Sequence, residues 1–351
     1  MARHLAFARW ETGDDWRRGT RRGTVVTGDG LEVRRAAGTR RDGRRPQEWA
    51  TWTSPWVSPG FAAEELVASW SATTPAGSLL EIDVRGRRGP WDALGRWSSR
   101  PGADRTSIAG QERVDADTWR PGGVDEWQLR LTLVRRPGTH GPTVRMLAAV
   151  TSAGRPRAST SSPGTAAGTV LDVPRLSQMT FRDVGGGGWC SPTSVSMVLA
   201  HAGTLPPGTD IPAAAAATHD TAYDGTGNWS FNTAWAAGLA GHAFVTRLRD
   251  LREAERFVAA GIPLVASVAY PPGALTGAPT RSTDGHLVVV RGFTDDGAVV
   301  TNDPAAPTER SVRRTYDRTE FERAWLGGSG GLVYVIHDDA HPLPKAGAGA
   351  W

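Results

Sequence analysis

Residues 151–169 read TSAGRPRASTSSPGTAAGT, a Gly, Pro, Ser, Thr and Ala stretch with almost nothing to bury. Such a segment gains too little from burial to order itself and behaves as a flexible connector. The 351-residue chain is therefore expected to fold as two units, in line with about 100–200 residues per domain. The boundaries read as a first domain over 1–150, a connector over 151–169, a second domain over 170–338 and a tail over 339–351. The two halves also differ in kind, because ten of the 15 tryptophans lie before residue 130.

The first half reads as β structure. In Trp127-Gln128-Leu129-Arg130-Leu131-Thr132-Leu133 and in Leu80-Glu81-Ile82-Asp83-Val84-Arg85, apolar and polar residues alternate, the period of a strand with one buried face. Residues 24–27, 68–72 and 144–150 are further candidate strands, separated by Gly/Pro turns. Many short strands with such turns point to an all-β sandwich or jelly roll. Its tryptophans carry two readings, a sugar- or cell-wall-binding platform or core and rim material.

The second half mixes helices and strands. After Ser191, Val195, Val198, Leu199 and Ala202 form one apolar stripe, with Ser191 as cap, Pro192 at the first helical position and Gly203 as terminator. A second helix runs from Asp250, with Glu253 as its capping-box partner, to Gly261. Strands follow over 263–270, 286–293, 298–302 and 331–336, so the expected domain is α+β with a leading helix.

Composition excludes several classes. No apolar run approaches the ~20 residues of a membrane span. With Cys190 as the one cysteine, neither an internal disulfide nor a cysteine-based zinc cluster can form. No metal or other cofactor is expected, and His201 and His219 lack further ligands at metal-binding spacing. Ten arginines fall between Arg17 and Arg45, but without interleaved aromatics they read as a solvated face, not a nucleic-acid site. The N-terminus lacks the apolar region of a secretory signal, so the default expectation is a cytoplasmic protein, with secretion from a differently placed start left open.

Chemistry concentrates around Cys190. It follows Gly185-Gly186-Gly187-Gly188-Trp189 and opens a helix, where free N–H groups and the helix dipole favour a thiolate. Of eight histidines, His286 stands out because it begins a strand that the Asp295-Asp296-Gly297 turn sends back toward Asp303. The turn centre sets His286 and Asp303 nearly opposite each other, within reach of a carboxylate that fixes an imidazole tautomer. Asn302 competes for that role, but side chains alternate along a strand and only one of the two can face His286. Gln178, upstream in VPRLSQ, is a candidate amide donor beside the Cys190 N–H. Trp189 and the polar loop around Asn228, Trp229 and Asn232 are candidates to line a substrate cleft, or, for the loop, a structural turn rich in Asn and Asp.

The run VPRLSQ, then WCSPTSVSMVLAHAG, then DGHLVVVRGF and TNDPA resembles the bacteriocin-processing, double-glycine-leader cysteine peptidases, and more closely their stand-alone "C-thirty-nine-like" relatives. The layout with a Trp-rich N-terminal β domain is similar to that of actinobacterial members. The resemblance covers roughly 170–338. It implies a papain-like cysteine peptidase fold with Cys190 as nucleophile, His286 as base, Asp303 as orienter and Gln178 in the oxyanion hole, acting on a peptide or protein substrate. Ser191 stands where the family usually has glycine, and no transporter segment is present, so the leader-peptide substrate of transporter-linked members does not carry over. Two other readings stay open: an acyltransferase or transpeptidase with an amine acceptor, and an inert papain-like domain in a glycan- or peptide-binding protein.

Overall fold

In the computed structural model, which describes residues 3–100, 105–108, 112–156, 160–346 and 350–351, the first half forms two antiparallel sheets of seven strands each. One sheet runs in the order Val114–Asp115, Thr118–Trp119, Glu65–Thr73, Thr143–Ala153, Leu31–Val33, Thr24–Val26. His4–Trp10 also pairs with Thr143–Ala153, so the start of the domain is hydrogen-bonded to its last strand. The other sheet is built on Ser78–Gly86, Trp127–Arg135 and Arg45–Thr53, with Asp92–Trp97 and Thr106–Ser107 beyond Ser78–Gly86. Leu80, Ile82 and Val84 of this sheet share one core with Leu66, Trp70 and Leu147 of the first, which makes the half a β-sandwich.

The alternation in Ser78–Gly86 is realised residue by residue. Along Trp127–Arg135 both faces are covered, because charged and polar side chains meet across the outer one: Arg85 donates to Gln128, Arg130 pairs with Asp83 and Arg135 with Glu48.

Most tryptophans of this half are core material. Trp10, Trp16, Trp52, Trp70, Trp97, Trp119 and Trp127 are buried in the sandwich core. The half-buried Trp49, Trp56 and Trp91 each lie under a guanidinium, from Arg22, from Arg85 and Arg87, and from Arg85 and Arg130 respectively. Each of these rings thus has a cation stacked on it from within the chain itself.

The second half is one antiparallel sheet of six strands in the order His242–Arg247, Leu332–His337, Leu264–Tyr270, Thr283–Phe293, Val299–Asn302, Arg313–Tyr316. Alternate residues of these strands face opposite layers. Leu264, Ala266, Val288, Val290 and Val333 pack with Phe257, Phe321 and Trp325 of the helices Leu251–Ala259 and Arg318–Ser329. Val265, Leu287, Val289 and Tyr334 pack with Val195, Val198 and Leu199 of helix Cys190–His201 and with Ala236 and Ala237 of helix Trp229–Ala240. The expected strands and the two expected helices form within a few residues of their predicted limits. Ser191 is the exception in detail: the helix begins at Cys190, two residues before Pro192, and the Ser191 hydroxyl is buried against the Tyr334 hydroxyl at 2.9 Å instead of capping.

The halves meet through a shared interior. Phe231 and Ala234, on helix Trp229–Ala240 of the second half, belong to the sandwich core, with Phe231 edge-on to Trp70 at 6.2 Å. Ser230 donates to the Ala68 carbonyl, the Val245 N–H donates to Ser69, and buried Arg247 pairs with Glu65 at 2.8 Å. Residues 160–168 of the connector run along the second half. Ser161 donates twice to Glu322 and accepts from Arg318, and Ala166 is buried.

Candidate active site

Four glycines carry the chain into the site. Gly185 sits at φ 103°, a conformation that favours glycine, and ends a 3-10 turn that begins at Gln178. A Cβ on Gly186 would lie 2.4 Å from the Gln178 carbonyl oxygen, so the two segments approach as closely as they do only because that side chain is missing. The turn delivers Cys190 as the first residue of its helix, whose end carries no side-chain cap. Within that first turn the Cys190 and Ser191 N–H groups are left without a side-chain cap, at the positive end of the helix dipole.

His286 lies on strand Thr283–Phe293 and Asp303 one residue past Val299–Asn302. Their Nε2–Oδ1 distance is 2.7 Å, and both are buried. The register differs from the simple hairpin expectation. Val289 pairs with Asn302, and an irregularity at Arg291 shifts the ladder, so Asp303 reaches His286 diagonally and not from directly opposite. Two more donors hold the carboxylate: the Ala305 N–H at 3.0 Å to Oδ1 and the Tyr316 hydroxyl at 2.9 Å to Oδ2. Tyr316, thirteen residues farther along on the next strand, left no mark in the sequence pattern.

With Nε2 taken by Asp303, Nδ1 is the ring atom left for Cys190, whose thiol lies close enough to feel the imidazole. Burial pushes the thiol toward its neutral form, but His286 beside it brings its pKa below the ordinary value. Burial alone would neutralise His286, yet the Asp303 carboxylate outweighs it and holds the imidazole pKa up at about 10. Asp303 stays below the usual carboxylate range: burial raises it, and His286, Tyr316 and the Ala305 N–H more than compensate. These opposite shifts favour a thiolate–imidazolium pair at neutral pH.

Gln178 is buried, its N–H accepted by the Pro304 carbonyl, which ties it to the turn after Asp303. Its side-chain amide donates to the Gly187 carbonyl at 2.8 Å, three residues before Cys190, and its Oε1 is buried without a partner. Asn302 points away from His286 and binds the Val173 and Pro174 carbonyls. Trp189 is half-buried at the site and tilted against Phe181. Asn228 and Asn232 do not line a cleft: both are buried, Asn228 capping helix Trp229–Ala240 and Asn232 binding the Thr226 and Asn228 carbonyls. Trp229 opens that helix and is half-buried against the apolar cluster that Cys190 also borders. Among the described residues no group of three or more His, Cys, Asp or Glu is placed to hold a metal ion, and no helix is long and apolar enough to cross a membrane.

The thiol thus stands at a helix start beside an imidazole–carboxylate pair on an antiparallel sheet, and a helix of this half packs into a β-sandwich. Residues 170–331 match the Peptidase_C39 like family and residues 6–152 the Peptidase C39 N-terminal domain, so the chain belongs to the C39-like peptidase family in its form with that N-terminal domain. No curated protein matches it. Among solved structures, the carbohydrate-binding module TmCBM61 in complex with β-1,4-galactotriose aligns at 10% identity and a TM-score of 0.19, over 40% of this chain and 86% of its own. The GH26-CBM35 β-(1,4)-mannanase of Podospora anserina aligns at 14% identity and a TM-score of 0.23, over 56% of this chain and 48% of its own, about half its length. Likenesses of that degree carry no argument about ligand.

Proposed function

We propose that the protein is a cysteine peptidase or amide hydrolase with a papain-like second domain. The observation that carries this reading is the buried Asp303–His286 pair beside the half-buried Cys190 at a helix start, in which the carboxylate takes Nε2 and leaves Nδ1 to the thiol. The Cys190 thiolate attacks the carbonyl carbon of a peptide bond, and the oxygen gains the negative charge. The Cys190 N–H and the second amide hydrogen of Gln178 are the donors for that oxyanion. His286 gives its Nδ1 proton to the leaving nitrogen as the C–N bond breaks, and the acyl group remains on sulfur as a thioester. Water then attacks the thioester while His286 takes its proton, releasing a carboxylic acid and restoring the thiolate. Asp303, steadied by Tyr316, holds the imidazole in the tautomer and orientation both steps need.

The test is product analysis by mass spectrometry on a mixed peptide library, wild type against Cys190→Ala. New termini that appear with wild type and vanish in the variant support hydrolysis. Equal products from both proteins sink it. Adding an amine acceptor in the same experiment separates hydrolysis from acyl transfer, because a transferase yields the amide adduct.

A further inference from the structure

The turn over residues 220–225 is bound to both halves of the molecule. Asp220 is fully buried, and its carboxylate accepts from the Ala222 and Tyr223 N–H groups, from the Asn228 amide, and from the Ser107 N–H of the β-sandwich at 2.9 Å. The Arg105 carbonyl, also in the sandwich, accepts from both the N–H and the hydroxyl of Thr221 at 2.9 Å. The Asp220 and Gly225 main chains bond to each other, with Asp224 at the tip at φ 52°. On its far side the loop reaches the nucleophile's segment, where Thr226 donates to the Gly188 carbonyl at 3.0 Å.

This clamped turn presents Tyr223, 55% exposed, as one of three large exposed hydrophobic side chains among the described residues. Its ring lies on Gly225, where a Cβ would come within 2.7 Å of it. A second of the three, Val184, borders the glycine run that leads to Cys190. The Tyr223 phenol is close enough to the site for its pKa to be raised, chiefly by burial, then by Asp117 of the sandwich and by the Cys190 thiolate. An exposed aromatic ring, held on a clamped turn that is bonded to the segment leading to Cys190, has little to gain for folding.

We infer that Tyr223 is a wall of the substrate cleft that packs against an apolar side chain of a bound peptide, and that the β-sandwich holds it there through Ser107 and Arg105. The inference rests on the peptidase reading for its substrate class. It makes the first domain a working part of the peptide site, not a separate binding module.

The experiment compares two alkylating reagents on Cys190 in the full chain, iodoacetamide and Ala-Ala-Phe chloromethyl ketone. Iodoacetamide reads the thiol alone, and the ratio of the two rates reads recognition by the cleft. Tyr223→Ala is expected to lower the ratio about 2–10-fold, the worth of one aromatic contact, with Tyr223→Phe near wild type. Ser107→Pro removes the N–H that Asp220 accepts, and Thr221→Val removes one donor to Arg105; both are expected to lower the ratio in the same direction while the iodoacetamide rate stays constant. An unchanged ratio in Tyr223→Ala overturns the wall. A drop in Tyr223→Ala with none in Ser107→Pro and Thr221→Val overturns the part played by the sandwich. Alkylation requires no turnover, so a wild type that cleaves no peptide but keeps a Tyr223-dependent ratio defeats the hydrolase reading and leaves this one standing.

Discussion

Among the single residues, Tyr316 is the one whose removal separates charge from position. Its hydroxyl is one of three donors on Asp303, so Tyr316→Phe should cost about 1.5–3 kcal/mol, as for a hydrogen bond to a charged group. Asp303 has its pKa depressed by folding, so its contribution to stability is present above the ordinary carboxylate pKa and lost as pH falls through the lowered one. Losing a donor moves that loss to higher pH, which acid unfolding followed by tryptophan fluorescence would display. His286 has the opposite sign: its pKa rises to about 10 on folding, so its contribution is full below the free-histidine value and fades as pH climbs through 10. Alkylation of Cys190 by iodoacetamide should therefore be fast at neutral pH in wild type. In His286→Ala its midpoint should move up toward ~8.5, the value of a free thiol. A pH profile indifferent to that substitution would mean the thiol is not paired with the ring.

The elements show what a sequence can disclose about such a site. Cys190, His286 and Asp303 could be picked out from order and spacing because Cys190 opens a helix, Asp303 follows a strand with Pro304 as breaker, and His286 leads the apolar run of its strand. The diagonal approach of Asp303 could not, since an extra residue at Arg291 leaves no compositional trace. Helix Trp229–Ala240 was hidden for a different reason: it is buried on nearly every side, so no polar stripe marks its period, and Asn228 and Asn232 look like loop residues until their roles inside it are known. The glycine run was legible as flexible backbone, whereas its function is close approach. Gly186→Ala forces the Gln178 carbonyl away and should lower hydrolysis by ~10-fold or more if Gln178 serves the oxyanion, since loss of one such donor costs about 10²–10³. The iodoacetamide profile of Cys190 should hardly change, and measuring both on the same preparation distinguishes a misplaced donor from a damaged thiol.

At the scale of the whole molecule, the two halves are expected to unfold together. Phe231 and Ala234 complete the sandwich core from the other half, and Arg247–Glu65 ties the same surfaces. Calorimetry on the intact chain should show one transition, with Phe231→Ala lowering all of it by about 3–5 kcal/mol instead of splitting it. Two separate transitions in wild type would show that the shared interior does not couple the halves.

That shared helix also imposes an order in time. A ribosome makes the sandwich strands first, yet their hydrophobic interior stays unsealed until the chain has been extended as far as Ala234, well past Cys190. The thiol is thus already made while the structure around it is still open, and His286 and Asp303 come later still. A nascent chain of this protein carries its thiol long before it carries His286 and Asp303, so any chemistry that needs all three waits until synthesis has passed residue 303.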